Sequence, residues 1–278
     1  MILGIHCPVR AGFGAALERA AALGCASMQM LPYRRNEVPA PEDLAAFSAA
    51  RGKTSVTRLL IHSRYVPSLG SSDDERRRRS IAHLANELRL AAALGGDAYV
   101  LHAGAYSEGV EHGEGLGRVA GAIVEAVGRA EASVPILLEN VPGGGRRLGG
   151  TLEELAWLSE PLRKVQPAAG FCIDTAHAWA GGYDMGSAEA MLKFLSKIHR
   201  LLGADSVKAF HLNDTRALLG SHREHHEHWG RGHVRGEGLQ TLLQRSEYAA
   251  AVGILETPWE APGDDERNLA FVTSRSAS

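Results

Sequence analysis

Cysteine is scarce in this 278-residue chain: Cys7, Cys25 and Cys172 are odd in number and widely spaced, and no C-x-x-C pair occurs. That excludes a disulfide framework and dithiol redox chemistry, and it suits a reducing compartment. No G-x-S-x-G elbow occurs either, so serine-hydrolase chemistry has no support. No run approaches the roughly 18 apolar residues that a membrane helix needs. The start, MILGIHCPVR, lacks the basic stretch and long apolar core of a secretory leader, so a cytoplasmic protein with no membrane partner is expected. An excess of one charge is missing as well. Lys and Arg number 30 against 32 Asp and Glu, a formal net charge of -2, so binding to a polyanion would need a local basic patch. Aromatic residues make up only 6%, yet there are 13 histidines, four of them between His222 and His228. That excess asks for a chemical explanation.

A 45% hydrophobic content is ample for a buried core, and the apolar residues fall in short runs. ILGIH (2–6), CASMQML (25–31), VTRLLIHS (56–63), AYVLHAG (98–104), VPILLEN (134–140), GFCIDTAH (170–177), VKAFHLND (207–214) and VGILET (252–257) read as eight buried strands. Helical segments lie between them. Those at 15–24, 80–95 and 190–203 end in glycine, as a left-handed carboxy-terminal cap requires. Thr151 with Glu154 has capping-box spacing, and Ser187 with Glu189 opens the next helix. Eight strand–helix units over about 250 residues predict a (β/α)8 TIM barrel, one domain spanning 1–278, rather than a doubly wound sheet of five or six strands. Beyond the tail SRSAS (274–278) there is no low-complexity segment.

The ends of the runs carry the chemistry. They are His6, Gln29, His62, His102, Glu139, Asp174, His211 and Glu256, and in a closed barrel they converge on the carboxy-terminal face. A lone strand-end histidine such as His6 reads as a hydrogen-bonded core residue. Three carboxylates and three imidazoles meeting at one mouth, with few basic partners, imply cations instead. His177 follows Asp174 by three residues, and HREHHEH (222–228) adds more imidazole and carboxylate, a donor set suited to zinc or a neighbouring transition metal. PGGGRRLGG (142–150) lacks the ending of a P-loop and reads as a flexible loop. DDERRRR (73–79) reads as a helix start with a solvated basic face.

Six segments, IHSRYVPSLGS, VLHAGAY, LLENVPGGG, CIDTAHAWAGGYD, FHLNDTRALLGSHREHHEHWGRGH and ILETP, resemble in order the signature segments of the endonuclease IV family. These are apurinic/apyrimidinic endonucleases of DNA base-excision repair, TIM barrels with three zinc ions. The resemblance implies that His62 and His102 hold a first ion and share Glu139 with a second, held further by Asp174, His211 and Glu256. His177, Glu224 and His226 resemble the ligands of the third. Glu224 stands where the family usually has aspartate, which admits manganese at that position, and Arg231 stands where members often carry an acid. The implied reaction is hydrolysis of the phosphodiester 5′ to an abasic site by a metal-bound hydroxide, with Glu139, Asp174 and Glu256 at its centre. Three divalent cations would outweigh the four carboxylates and favour an anionic phosphodiester. Tyr65 and Val66 match positions that insert into duplex DNA at the lesion, and Arg34 or Arg35 matches an arginine inserted from the preceding loop. Arg64, Arg146, Arg147, Arg216, Arg223, Arg231 and Arg235 fall on loops expected at the same face. The resemblance further implies a monomer acting near the nucleoid.

Two other functions compete. A sugar isomerase or epimerase of the related barrel group would use one ion on Glu139, Asp174, His211 and Glu256, leaving His62, His102, His177, Glu224 and His226 without employment. A lesion-binding protein that has lost cleavage would retain abasic DNA without nicking it.

Overall fold

The computed structural model describes residues 1–34 and 39–276. Eight parallel strands run in sequence order around a closed barrel: β1 (Ile2–His6), β2 (Ser27–Met30), β3 (Arg58–His62), β4 (Ala98–His102), β5 (Ile136–Glu139), β6 (Gly170–Asp174), β7 (Val207–His211) and β8 (Val252–Leu255). Each lies inside one of the eight apolar runs. Helices α1 (Phe13–Ala22), α2 (Pro41–Arg51), α3 (Asp74–Ala93), α4 (His112–Ala130), α5 (Leu152–Val165), α7 (Ala188–Leu201), α8 (Gly236–Leu243) and α9 (Asp264–Ser276) surround the strands, and the short α6 (Thr175–Ala180) follows β6 directly at the mouth.

Local chemistry sets the helix ends. Gly24, Gly95 and Gly203 all have positive φ, as the sequence predicts. Thr151 Oγ1 accepts the Glu154 N–H at 3.1 Å, and Ser187 Oγ accepts that of Ala190 at 3.2 Å. The box at Thr151 is only half formed, because Glu154 Oε2 accepts the N–H groups of Gly149 and Gly150, both at 2.9 Å. It thereby ties down the glycine-rich loop. Asp73 caps α3 by accepting from Glu75 and Arg76; Arg76, Arg78 and Arg79 are exposed, whereas Arg77 is half-buried.

Strand periodicity positions the site. Side chains two apart share a face, so Leu60 and His62, Val100 and His102, Leu137 and Glu139, Cys172 and Asp174, Ala209 and His211, and Ile254 and Glu256 point the same way. The first member of each pair belongs to a separate buried apolar cluster with Ala98 and Val252. That cluster fills the barrel, and the second members stand on top of it. The larger core, from Ile5 to Val272, lies between strands and helices. At the β1–β2 pair a side chain at Gly4 would collide with the Ser27 carbonyl at 1.9 Å, so only glycine fits there. Among the described residues no helix is long and apolar enough to cross a membrane.

Candidate metal centre

Glu139 is the hub. Fully buried at the end of β5, it places Oε2 3.0 Å from His62 Nε2 and 2.8 Å from His102 Nε2. Its Oε1 lies 2.8 Å from His211 Nδ1 and 3.4 Å from His177 Nδ1. Neighbouring strands make this meeting automatic, because His102 pairs in register with Glu139 and Asp174 with His211. Asp174 Oδ2 lies 3.8 Å from His211 Nδ1 and 3.5 Å from His226 Nε2, and Glu256 Oε2 lies 3.4 Å from His211 Nδ1.

One nitrogen of most of these imidazoles is committed elsewhere. A carbonyl can only accept, so Nδ1 must carry the proton where His62 meets the Ser63 carbonyl at 2.8 Å, His177 that of Asn140 at 2.9 Å, and His226 that of Glu256 at 3.1 Å. Gln29 does the same for His211 from the other side. Its amide donates to Glu256 Oε1 at 2.6 Å, so its oxygen faces His211 Nε2 at 2.8 Å and fixes the proton there. The lone pairs left over, on Nε2 of His62, His177 and His226 and on Nδ1 of His211, lie beside the carboxylates. His102, His177 and His226 have a buried Nε2 with no hydrogen-bond partner among the described residues, and His102 Nε2 is among them despite its 2.8 Å approach to Glu139, because the angle does not suit a hydrogen bond. Buried lone pairs aimed at oxygens that cannot donate fit a cation between them.

Four groups have donor atoms close enough to share an ion: His62, Glu139 and His211; His102, Glu139 and His177; Asp174, His177 and His226; and Glu139, Asp174, His211 and Glu256. The last is the set expected for the second ion. The others differ in detail from the expected sets. His62 and His102 meet at one Glu139 oxygen, their ring centroids 5.2 Å apart, but fall in separate groups. Asp174 stands with His177 and His226, while the half-exposed Glu224 is 3.8 Å from His177 Nε2 and outside the group.

The electrostatics match the geometry. Burial pushes the Glu139 carboxyl up, but the charges of His102 and His211 outweigh it and hold it well below the usual range. Burial opposes charge on His177, yet Asp174 and Glu139 raise it well above an ordinary histidine; burial opposes charge on His62 too, and Glu139 raises it nonetheless. His177 holds Glu224 down at about 2. The carboxylates thus draw positive charge onto the imidazoles, and a divalent cation binding here competes with protons.

Several supports were not foreseen as functional. Gln29 was visible only as a polar strand end. Asn140 pairs with both backbone groups of Asp174, at 2.7 and 3.0 Å, and Asn213 donates to Asp174 Oδ2 at 2.7 Å while accepting the Glu256 N–H at 2.8 Å. The available signal was position: each asparagine stands just beyond a ligand-type residue or strand end, in LLEN and HLND. His6 is 3.1 Å from the Gln29 amide and 3.5 Å from Glu256, a hydrogen-bonded residue at the rim.

Around the mouth, Tyr65 and Val66 project from the β3–α3 loop, 52% and 59% exposed. Arg34 is exposed on the β2–α2 loop, and Arg35 lies outside the described residues. Arg146, Arg147, Arg223, Arg231 and Arg235 are exposed on loops that follow strands β5 and β7. Arg216 is there too, engaged with the buried Glu227, and Arg64 packs between two tyrosine rings.

Residues 17–274 match the family described as xylose isomerase-like TIM barrel. The chain is 34% identical to a protein named probable endonuclease 4 from Solibacter usitatus, covering 100% of this chain and 98% of the relative. It is 35% identical to the protein of the same name from Chloroflexus aurantiacus, covering 98% and 96%. The crystal structure of endonuclease IV from Thermus thermophilus superposes with a TM-score of 0.86 at 32% identity, over 99% of this chain and 98% of the other. A D-tagatose 3-epimerase-like protein shares the fold at 18% identity and a TM-score of 0.73. With its full-length relatives and its ring of strand-end imidazoles and carboxylates, the chain belongs to the endonuclease IV family of xylose isomerase-like TIM barrels.

Proposed function

We propose that the chain is a metal-dependent apurinic/apyrimidinic endonuclease that cleaves duplex DNA 5′ to an abasic site in the cytoplasm. The observation that carries this reading is the convergence of five imidazoles and three carboxylates on one mouth, with three buried imidazole nitrogens that lack a hydrogen-bond partner among the described residues. His62, His102, His177, His211 and His226 with Glu139, Asp174 and Glu256 would hold two or three ions, zinc by the donor chemistry, and Glu224 would close the outermost position. When bound, such ions supply positive charge for a phosphodiester and lower the pKa of water from about 16 to about 7.

The chain's own residues do the rest. Glu139 keeps four imidazoles around one point, so charge is preorganised where a phosphate would enter. Gln29 keeps the His211 Nδ1 lone pair inward. Tyr65 and Val66 are placed to fill the stack where an abasic nucleotide turns out, a change that is cheap because that nucleotide neither stacks nor pairs. The loop arginines offset a net charge of -2 by facing the phosphate backbone locally.

The one-ion sugar epimerase reading leaves four inward imidazoles, His62, His102, His177 and His226, unused. Metal analysis of the purified protein, followed by incision of an abasic duplex before and after chelation, decides between the two. More than one ion per chain and chelator-sensitive nicking are expected. One ion per chain with no nicking would overturn the reading, and retention of abasic DNA without nicking would leave the lesion-binding alternative.

A further inference from the structure

Glu87 is a second buried carboxylate, outside the metal-facing cluster. It sits in the middle of α3, only 2% exposed, where a carboxyl is costly unless it is paired. Its Oε2 accepts the backbone N–H of Arg64 at 3.2 Å and the hydroxyl of Tyr99 from β4. Its Oε1 lies 3.1 Å from Nε2 of His83, one helical turn back, an ion-pair contact and not a hydrogen bond. His83 Nε2 is in turn 3.1 Å from the Tyr33 hydroxyl, on the β2–α2 loop.

Above this buried group the two loops are clasped together. The Arg64 guanidinium lies 5.2 Å from the Tyr33 ring centroid and 5.3 Å from that of Tyr65. Arg64 also donates to the Tyr33 carbonyl at 3.1 Å and to the Tyr65 hydroxyl at 3.2 Å. The Tyr65 ring packs 6.1 Å from that of His83. Arg64 and Tyr65 belong to the β3–α3 loop and Tyr33 to the β2–α2 loop, the two loops that carry Tyr65, Val66 and Arg34 at the mouth. For packing alone, an apolar residue on α3 would cost less than a carboxylate.

We propose that Glu87 is a positioning residue for lesion recognition: through the Arg64 backbone and His83 it holds Tyr33, Arg64 and Tyr65 as one preformed unit at the mouth. The unit then meets DNA already ordered, and the cost of fixing several mobile side chains is not charged against binding. The proposal rests on the reading of the Tyr65 loop as the part that enters abasic DNA.

The test compares wild type, Glu87→Gln, Tyr65→Ala and the double variant, each fully loaded with zinc, on abasic and intact duplexes. Glu87→Gln keeps the shape and removes the charge. Expected is a rise in KM for the abasic duplex of about tenfold, the scale of one or two side chains that must be ordered on binding. Metal content should be unchanged and kcat within about twofold. The double variant should be no worse than Tyr65→Ala alone, because both changes act on one element. An unchanged KM, an additive double variant, or a fall in kcat accompanied by metal loss would each overturn the proposal. Should Glu87→Gln not fold, His83→Ala, at a 41% exposed side chain, carries the same KM expectation and the same overturning result. A wild-type protein that binds abasic duplex without nicking removes the endonuclease reading alone, and the comparison is then made on Kd. A wild type that neither nicks nor binds removes both.

Discussion

Among single side chains, Glu139 has the most to lose. Its two oxygens stand within 3.4 Å of four imidazoles, and it makes these contacts with no exposed surface. Glu139→Gln keeps the volume but removes the charge that a cation shared among those imidazoles would need. Nicking of an abasic duplex should fall by about 10³-fold or more, the scale of losing a preorganised electrostatic contact. Bound metal should fall by at least one ion per chain while the far-UV circular dichroism stays that of a barrel. Near-normal cleavage by the folded variant would show that the charge at this point is dispensable.

Among elements, the long loop from Leu212 to Arg235 depends on one buried carboxylate. Asp214 Oδ1 accepts the N–H groups of Thr215 and Val234, and Oδ2 those of Gly230 and Gly232, at 2.9–3.1 Å. The loop's own Glu227 N–H bonds back to the Asp214 carbonyl at 2.8 Å, and the Thr215 hydroxyl reaches the His225 carbonyl. This closed circuit presents Glu224 and His226 to the mouth. Asp214→Asn replaces an accepting oxygen with a donor facing two N–H groups, a loss of about 2 kcal/mol, which corresponds to about 4–8 °C in Tm. The outermost ion should be lost first, so metal analysis should show a fall of about one ion with the inner set retained. Unchanged metal content at a lowered Tm would make Asp214 structural only.

That loop also marks where sequence reasoning stops. The eight strands, the three glycine caps and the polar residues that close the strands were legible because each depends on residues close together in the chain: an apolar run, its break, or a cap three residues from its partner. The grouping of donors was not. Whether Asp174 or Glu224 stands with His177 and His226 depends on how a loop of more than twenty residues folds back, and no short-range pattern encodes that. The same holds for Glu87, whose partners come from α3, β4 and two loops, and for Glu154, which abandons half of its capping box to hold Gly149 and Gly150.

For the whole molecule, the site couples metal content to stability and pH. Ions that bind the folded barrel and not the unfolded chain add stability by mass action, so chelation should lower Tm. The size of the drop should depend on pH in a definite sense. In the metal-free protein His62, His177 and His211 have raised pKa values, so they contribute stability that is fully present below about 6.5, their unfolded value, and is lost as pH rises through the folded values. Protons therefore support the metal-free barrel under mild acid and not under alkali. The difference in Tm between loaded and chelated protein should be larger at pH 9 than at pH 6.5, read by thermal melts at both. An equal difference would mean that these imidazoles do not titrate with the metal.

The alternation that stands each ligand on an apolar neighbour has a consequence for how this barrel tolerates change. Six staves each bring one imidazole or carboxylate to the mouth, and each points inward only because its count of residues is right. Losing a single residue within β4, for instance, would turn His102 toward the helices and Leu101 into the apolar barrel interior, while the hydrophobic content of the stave stayed nearly the same. Length, more than composition, is what such a strand has to preserve, and insertions have room only in the loops between helices and strands.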